Sequence, residues 1–517
     1  MGIIRSQSIK STIITYIGFS IGAINMMFVM PHYLSPSEMG LISVFAALAA
    51  QMVTLGSIGM VVVVNKFLPY YNAHLEVKKR DLITIILIIG SLGMILVLGL
   101  TELNKDFIIR KFGKNAPLLI DYLYLLPSFA FGYFFYSTFD AFNNNYKFTV
   151  WSSFVRELFF KSFNLLTVIV FAFGWLSFHS FMNFYSFIYW FGAILIAINL
   201  IKNKHFFLPF KVSKLTNRLR SKIISYALPS WGINILGVTS QFVDTFAIAG
   251  LLGLGQAAIY NIARLIISPC ILPSAAIINI SIPFLSNAWR QKDIAMIETI
   301  YKKSALVLFM VGGGLFFLIW SNIDDVLHLL PDKFYGSPTI LNDAKFVILF
   351  FGLARLCDFA TSVNGYILQN SKKYYLIDLT SNIFLISMMI PLNYFMIKKF
   401  GILGAGYANF IAFFIINGGK ALFLYSKEKI HPFTKKWLLL PIIFFALLFI
   451  NYLITQIFQI NIFLNFPDTL ILKLIRISLR SAILAVIIIP LIYKLNISEE
   501  INDLIDKLLK IKTFKTK

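Results

Sequence analysis

A chain of 517 residues that is 58% hydrophobic and only 13% charged is not an ordinary soluble protein, where about a quarter of residues are charged. Its mean hydropathy of +0.79 says the same. The net charge of +23 would suit a nucleic-acid surface, but Lys and Arg gather in every second loop between apolar segments. That is the pattern of membrane topology, so nucleic acid is not a partner.

The apolar segments run, in chain order, near 11–30, 40–65, 82–101, 117–139, 158–173, 181–201, 224–249, 257–284, 304–320, 346–368, 374–396, 402–425, 437–457 and 474–493. Each is close to the roughly 20 residues that a helix needs to cross a hydrocarbon core of about 30 Å. They are continuous rather than alternating, which excludes an outer-membrane barrel. The expected class is an all-α polytopic membrane protein with about fourteen transmembrane helices. The first segment follows Arg5 and Lys10, but "FVMPHYL" offers no small-residue cleavage site, so it reads as an uncleaved span.

One set of loops holds Lys66, Lys78, Lys79, Arg80, Lys147, the segment from Lys202 to Lys222, Arg290, Lys292, Lys372, Lys373, Lys427, Lys429, Lys435 and Lys436. The other set holds fewer, Lys105, Arg110, Lys111, Lys114, Lys333, Lys345, Lys398, Lys399 and Lys473, and its loops near 31–39, 174–180 and 250–256 have no Lys or Arg. Both termini are therefore expected in the cytoplasm. Cys270 and Cys357 fall inside spans and form no disulfide framework. No two histidines share a metal-ligand spacing, so no metal site is expected.

The chain carries traces of duplication. "YLSPSEMGLI" at 33–42 aligns with "LLGLGQAAIY" at 251–260, "NNNYKF" at 143–148 with "QNSKKYY" at 369–375, and "FGWLSFHSFMNF" at 173–184 with "FGILGAGYANF" at 400–410. The offsets of 218, 226 and 227 are similar enough to suggest that spans one to six were copied as spans seven to twelve. The expected organisation is an N-terminal lobe (1–201), a basic cytoplasmic linker (202–222), a pseudo-symmetric six-helix C-terminal lobe (223–426), spans thirteen and fourteen (427–495) and an amphipathic tail (496–517). The linker holds seven Lys or Arg and no acid, enough to draw anionic lipid headgroups. In the tail, Ile501, Leu504, Ile505, Leu508 and Leu509 share one face, with Lys507, Lys510 and Lys512 placed for the inner leaflet.

Span one carries Ser11, Thr15, Gly18, Gly22 and Asn25 on one face, and span seven repeats the spacing as Ser230, Asn234, Gly237, Gln241 and Asp244. Small and polar residues at this spacing mark a face turned from lipid, which either packs against another helix or lines a cavity. Charge at membrane depth is costly and usually faces a bundle interior. Arg264 lies in span eight, with Asn261 and Ser268 on its face and Pro269 and Pro273 following. Arg355 and Asp358 lie three residues apart in span ten, with Ser362 and Gln369 extending their face. They form either an internal ion pair or a substrate residue with a switchable partner. Glu157 with Lys161 reads as a structural pair, and Lys420, Asp378, Arg476 and Arg480 lie near span ends, where charge is cheaper.

The opening 45 residues, with "LSPSEMG" in their short turn, "YNIAR" at 260–264 and "GILGAGYA" at 401–408, resemble the polysaccharide-biosynthesis flippases of the Wzx type. Those belong to the multidrug/oligosaccharidyl-lipid/polysaccharide exporter (MOP) superfamily. The resemblance covers essentially the whole chain. It implies a MATE-like fold in the bacterial inner membrane and transport of a lipid-linked oligosaccharide for O-antigen, lipopolysaccharide, capsule or exopolysaccharide. Transport would proceed by alternating access around a cationic cavity, beside other polysaccharide-assembly proteins. By the same resemblance Arg264 is placed like the cavity arginines that meet a pyrophosphate. Asn25 and Gln51 stand where lipid II flippases use charge, which argues against lipid II as cargo. The implied cavity set is Arg264, Arg355, Asp358, Asn25, Gln51, Asn234, Gln241, Asp244 and Asn261.

A flippase breaks no bond, so no catalytic residue and no cofactor beyond a coupling proton or sodium ion is expected. A multi-span polymerase or ligase would need a large external loop, and the longest external stretches are too short to carry a core. A MATE-type multidrug exporter is the nearer rival, but arginines suit an anion better than a cationic drug.

Overall fold

The computed structural model describes residues 2–461, 469–498, 502 and 506. The described residues form helices and no strand. The reading of 499–517 as a membrane-surface helix lies, save for Asn502 and Asp506, outside them. The chain divides into two compact units, 1–261 and 262–517. The basic segment 202–222 lies within the first unit, and the division itself falls inside a helix.

The first unit comprises α1 (Gly2–Ile24), α2 (Pro36–Gly56), α3 (Met60–His74), α4 (Leu82–Leu103), α5 (Leu126–Asn145), α6 (Phe160–Ala172), α7 (Ile188–Lys202) and α8 (Lys214–Leu251), with the start of α9 (Leu254–Gln291). The α2 helix starts at a capping box. The Ser35 hydroxyl accepts from Glu38 N–H at 3.3 Å, and the Glu38 carboxylate accepts from Ser35 N–H at 2.7 Å, so two otherwise orphaned donors are satisfied. The segment expected as one span at 40–65 is two helices, because Ile58 and Gly59 take positive φ of 49° and 73°. Gly59 also lets α8 approach: a Cβ there would lie 2.4 Å from the Ala227 carbonyl oxygen.

The core of this unit gathers Val63, Val64, Phe67, Ile86, Phe142 and Ile196. At its edge Asp81, which is buried, accepts from Ser213 N–H and from the Thr216 hydroxyl, both at 2.8 Å. The Tyr71 and Thr216 hydroxyls lie 2.7 Å apart. This fixes the first turn of α8. Nearby the His205 ring stacks on Tyr146 with centroids 4.1 Å apart. Burial and the adjacent Arg80 hold its imidazole below the usual value.

The second unit continues α9 and adds α10 (Ile294–Ser321), α11 (Pro338–Thr361), α12 (Asn364–Asn370), α13 (Tyr375–Phe400), α14 (Ile402–Glu428), α15 (Lys435–Asn461) and α16 (Leu470–Lys494). Helices α10 and α11 interlock reciprocally. Gly352 leaves room for Phe316 and Gly312 for Phe359, where an added Cβ would come within 1.9 and 2.4 Å of the rings. Such small-against-large packing replaces the hydrophobic drive that lipid removes. At the start of α16, Arg476 and Arg480 each reach an oxygen of Asp325 at 3.2 Å. Arg480 also donates to the Ser321 carbonyl at 3.1 Å.

Among the described residues ten helices are long and apolar enough to cross a membrane, or eleven if the bent pair α11–α12 counts as one. The chain is a multi-pass membrane protein. Three of the fourteen expected segments fall short of that measure, and each has a visible reason. The segment 117–139 mixes Asp, Tyr, Ser, Thr, Gly and Pro among its apolar residues, 158–173 continues a helix that carries Arg156, Glu157 and Lys161, and 224–249 carries the polar stripe of α8.

Candidate functional site

The two halves of the repeated stripe have different surroundings. On α1, a Cβ at Gly18 would lie 2.1 Å from the Glu157 carbonyl oxygen, and one at Gly22 would lie 3.0 Å from Lys161 Cδ. Asn25 opens a π-helical stretch, Asn25–Val29, and is only 3% exposed. Its amide donates to Asn164 Oδ1 at 2.9 Å, and Asn164 donates to the Tyr185 hydroxyl at 2.9 Å. This face of α1 is filled by the Phe154–Phe159 stretch and α6. Beside it Glu157 pairs with Lys161 at 2.8 Å and with Arg156 at 3.2 Å, and Arg156 stands 3.9 Å from Asp140.

On α8 the middle of the stripe is open. Asn234, Gly237 and Gln241 are exposed, and among the described residues no atom lies within 4 Å of a Cβ built at Gly232 or Gly237. The opposite side of the helix is fastened down. Gln51 donates to the Thr239 hydroxyl at 3.2 Å, and the Trp231 indole N–H donates to the Thr54 and Leu55 carbonyls at 2.8 and 3.2 Å. The stripe closes at Asp244, which is buried and accepts from the Tyr260 hydroxyl at 2.5 Å. Thr245 donates to Asn261 Oδ1 at 3.4 Å. Asp244 and Asn261 lie where α8 meets the start of α9, Gln51 meets α8 on the side away from the stripe, and Asn25 sits apart between α1 and α6.

Arg264 is half-buried one turn beyond Asn261. The α9 helix runs on through Pro269, Pro273 and Pro283. Pro269 cannot donate to the Leu265 carbonyl, and the Ser268 hydroxyl takes that carbonyl instead at 2.6 Å.

In the second unit the Arg355 guanidinium lies over the Phe413 ring, 4.8 Å from its centroid. Asp358 accepts from the Asn417 amide at 3.5 Å, and the charges of Arg355 and Lys420 both act on it. Asn417 in turn accepts from the Asn364 amide at 3.3 Å. Lys420, buried, pairs with Asp378 at 2.7 Å. The face expected to continue through Ser362 and Gln369 does not: Ser362 takes φ 44° and ψ −107°, and α12 resumes at a 47° bend. The Ser362 hydroxyl is buried with no hydrogen-bond partner among the described residues. Asn364 and Asn417 escaped the sequence reading because 53 residues separate them, and nothing local marks either. Among the described residues no three His, Cys, Asp or Glu side chains are grouped to hold a metal.

No family model matches this sequence, and no curated protein matches it. Solved structures do share its architecture. A lipid II flippase, MurJ, in an inward closed conformation is 15% identical with a TM-score of 0.69, over 95% of this chain and 100% of that one. An inward-facing multidrug resistance transporter of the MATE family, in the MOP superfamily, is 15% identical with a TM-score of 0.60, over 80% of this chain and 95% of that one. The fold is that of the MATE and MurJ transporters. Activity does not follow from fold and has to be argued from the site.

Proposed function

We propose that this protein is a flippase that carries a polyprenyl-pyrophosphate-linked oligosaccharide across the bacterial inner membrane by alternating access. The cargo would be a repeat unit of O-antigen, capsule or exopolysaccharide. The observation that carries this reading is the face of α8 on which Asn234, Gly237 and Gln241 stand exposed with open space over Gly237. A polar helix face left open within a membrane protein suits sugar hydroxyls that must cross without meeting hydrocarbon. The fold likeness to a lipid flippase over its full length supports it.

In this reading Arg264 binds the pyrophosphate, since a guanidinium stays charged and forks onto phosphate oxygens. Arg355 is a second cationic contact. Asp358 is its switchable partner and responds to a coupling proton or sodium ion. The lobes 1–201 and 223–426 move about the linker, both termini face the cytoplasm, and partner proteins of polysaccharide assembly take up the product. No bond is made or broken, so the protein is not an enzyme.

Arg264→Ala should lower export by about 10- to 100-fold, the worth of a charged hydrogen bond. Surface polysaccharide should be lost, with lipid-linked intermediates retained on the inner leaflet, while Arg264→Lys keeps partial function. Normal export by a stably expressed Arg264→Ala protein would overturn the assignment. Transport of lipid II is the second reading, favoured by the TM-score of 0.69 to MurJ. Rescue of cells depleted of their own lipid II flippase would establish it in place of the first.

A further inference from the structure

A groove of about 700 Å³ lies in the second unit between α14 and α15, floored by α11 and closed at one end by the turn at 431–433. Its volume falls within the roughly 300–1,000 Å³ of ligand pockets. The lining is almost wholly carbon. Phe414, Leu422 and Tyr425 form its rim and are exposed, and Trp437 stands on the α15 side. Gly418 also lines it, and a Cβ there would meet no atom within 4 Å among the described residues. Both flanking helices are long and apolar enough to cross the membrane, so what fills the groove comes from the bilayer.

The closed end has the opposite character. The segment 427–436, "KEKIHPFTKK", holds four lysines and one acid. Lys427, Lys429, Lys435 and Lys436 are exposed, while Glu428 is already engaged by the Tyr374 hydroxyl at 2.5 Å. Lys429 takes a left-handed conformation that ends α14, and its ammonium lies 5.6 Å from the Tyr425 ring. His431 lines the same end. A slot for hydrocarbon that ends in a patch of positive charge is complementary to an amphiphile with an acyl chain and an anionic head.

We infer that this groove holds a phospholipid with a negatively charged headgroup. One acyl chain lies along α14 and α15, and the phosphate rests among Lys429, His431 and Lys435. The groove lies wholly in the second unit, where it shares Asn417 with the contact to Asp358, and its occupant is a constituent of the bilayer rather than the transported cargo.

The test uses the full-length protein in zwitterionic bilayers, to which acyl-brominated phosphatidylglycerol or phosphatidylcholine is added. Bromine quenches nearby indole, and Trp437 reports from inside the groove. Brominated phosphatidylglycerol should quench more strongly than brominated phosphatidylcholine. The excess should vanish in Trp437→Phe, which isolates this residue among the seven tryptophans, and in Gly418→Leu, which fills the groove. Lys429→Gln and Lys435→Gln are surface changes that leave the fold alone, and each should weaken the preference for phosphatidylglycerol about fivefold. Equal quenching by the two lipids, or an excess unchanged by both lysine substitutions, overturns the proposal. So does displacement of the brominated lipid by equimolar polyprenyl phosphate, which would give the groove to the cargo's tail.

Discussion

The stripe on α1 and the stripe on α8 share a spacing and nearly a composition, yet one is packed and the other open. Gly18 and Gly22 exist so that a neighbouring backbone and a lysine stem can come close. Gly237 has no such neighbour. Small polar residues on a membrane helix therefore say that a face avoids lipid, but not what meets it. The second fact lies in the partner helix. For α1 that partner is the π-helical stretch Phe154–Phe159, whose carbonyl at Glu157 fills the space. For α8 the partners α2 and α3 hold the opposite side.

Substitutions can break this contrast, and the largest effect is expected at Gly18. Gly18→Val would drive a side chain into the Glu157 carbonyl, 2.1 Å from the added Cβ. A cost above about 3 kcal/mol should follow, since overpacking against backbone cannot be relieved by a rotamer change. Protein level and thermal unfolding would report it, and a normally stable variant would show that α1 is not packed there. Asn25→Leu comes next. It removes the donor to Asn164 in a buried chain that ends at Tyr185, so a loss of about 1–3 kcal/mol is expected in the same assay.

Gly237→Leu should not destabilise the fold, since Leu is a better helix former than Gly and this position is exposed, yet it should reduce export by crowding the open face. Unimpaired export with normal folding would show that this face is not on the transport path. Gly237→Ala should stabilise by about 0.5–1 kcal/mol through helix propensity alone, with export retained.

The smallest effect concerns the foot of α8. The folded state holds His205 below the usual imidazole value of 6.5, through burial and Arg80. Folding thus favours the neutral ring. Its contribution is complete above about pH 6.5 and is lost as the pH falls through the lower folded value. The melting temperature should decline slightly on acidification. His205→Phe, which keeps the stack on Tyr146 but takes no proton, should flatten that part of the profile, and an unchanged profile would assign the acid response to other groups.

Much of the architecture could be read from hydropathy, because a helix must satisfy its own backbone in lipid and leaves a long apolar run as its mark. Local breaks were less legible. The bend after Thr361 has neither Gly nor Pro at the break itself: "ATSVNG" gives no warning that Ser362 will take a positive φ. Individual charges inside spans were visible, but their partners were not. Lys420 finds Asp378 from 42 residues away, and Asp358 finds Asn417 from 59. The sequence could nominate Arg355 and Asp358 for their cost at membrane depth, but not the asparagines that share the load. Nothing local marks Asp81 either, since its role in starting α8 depends on Ser213 and Thr216, more than 130 residues on.

The Asp325 carboxylate gives the last helix a significance that its position as an appendage hides. Both of its oxygens are taken by guanidinium groups of α16. A chain cut after α15 would therefore do more than lose a peripheral span: it would strand an acid, 14% exposed at its side chain, with neither arginine. Removing α16 thus leaves the Asp325 carboxylate without its two cations, and Asp325→Asn is the substitution that would relieve a version shortened after α15.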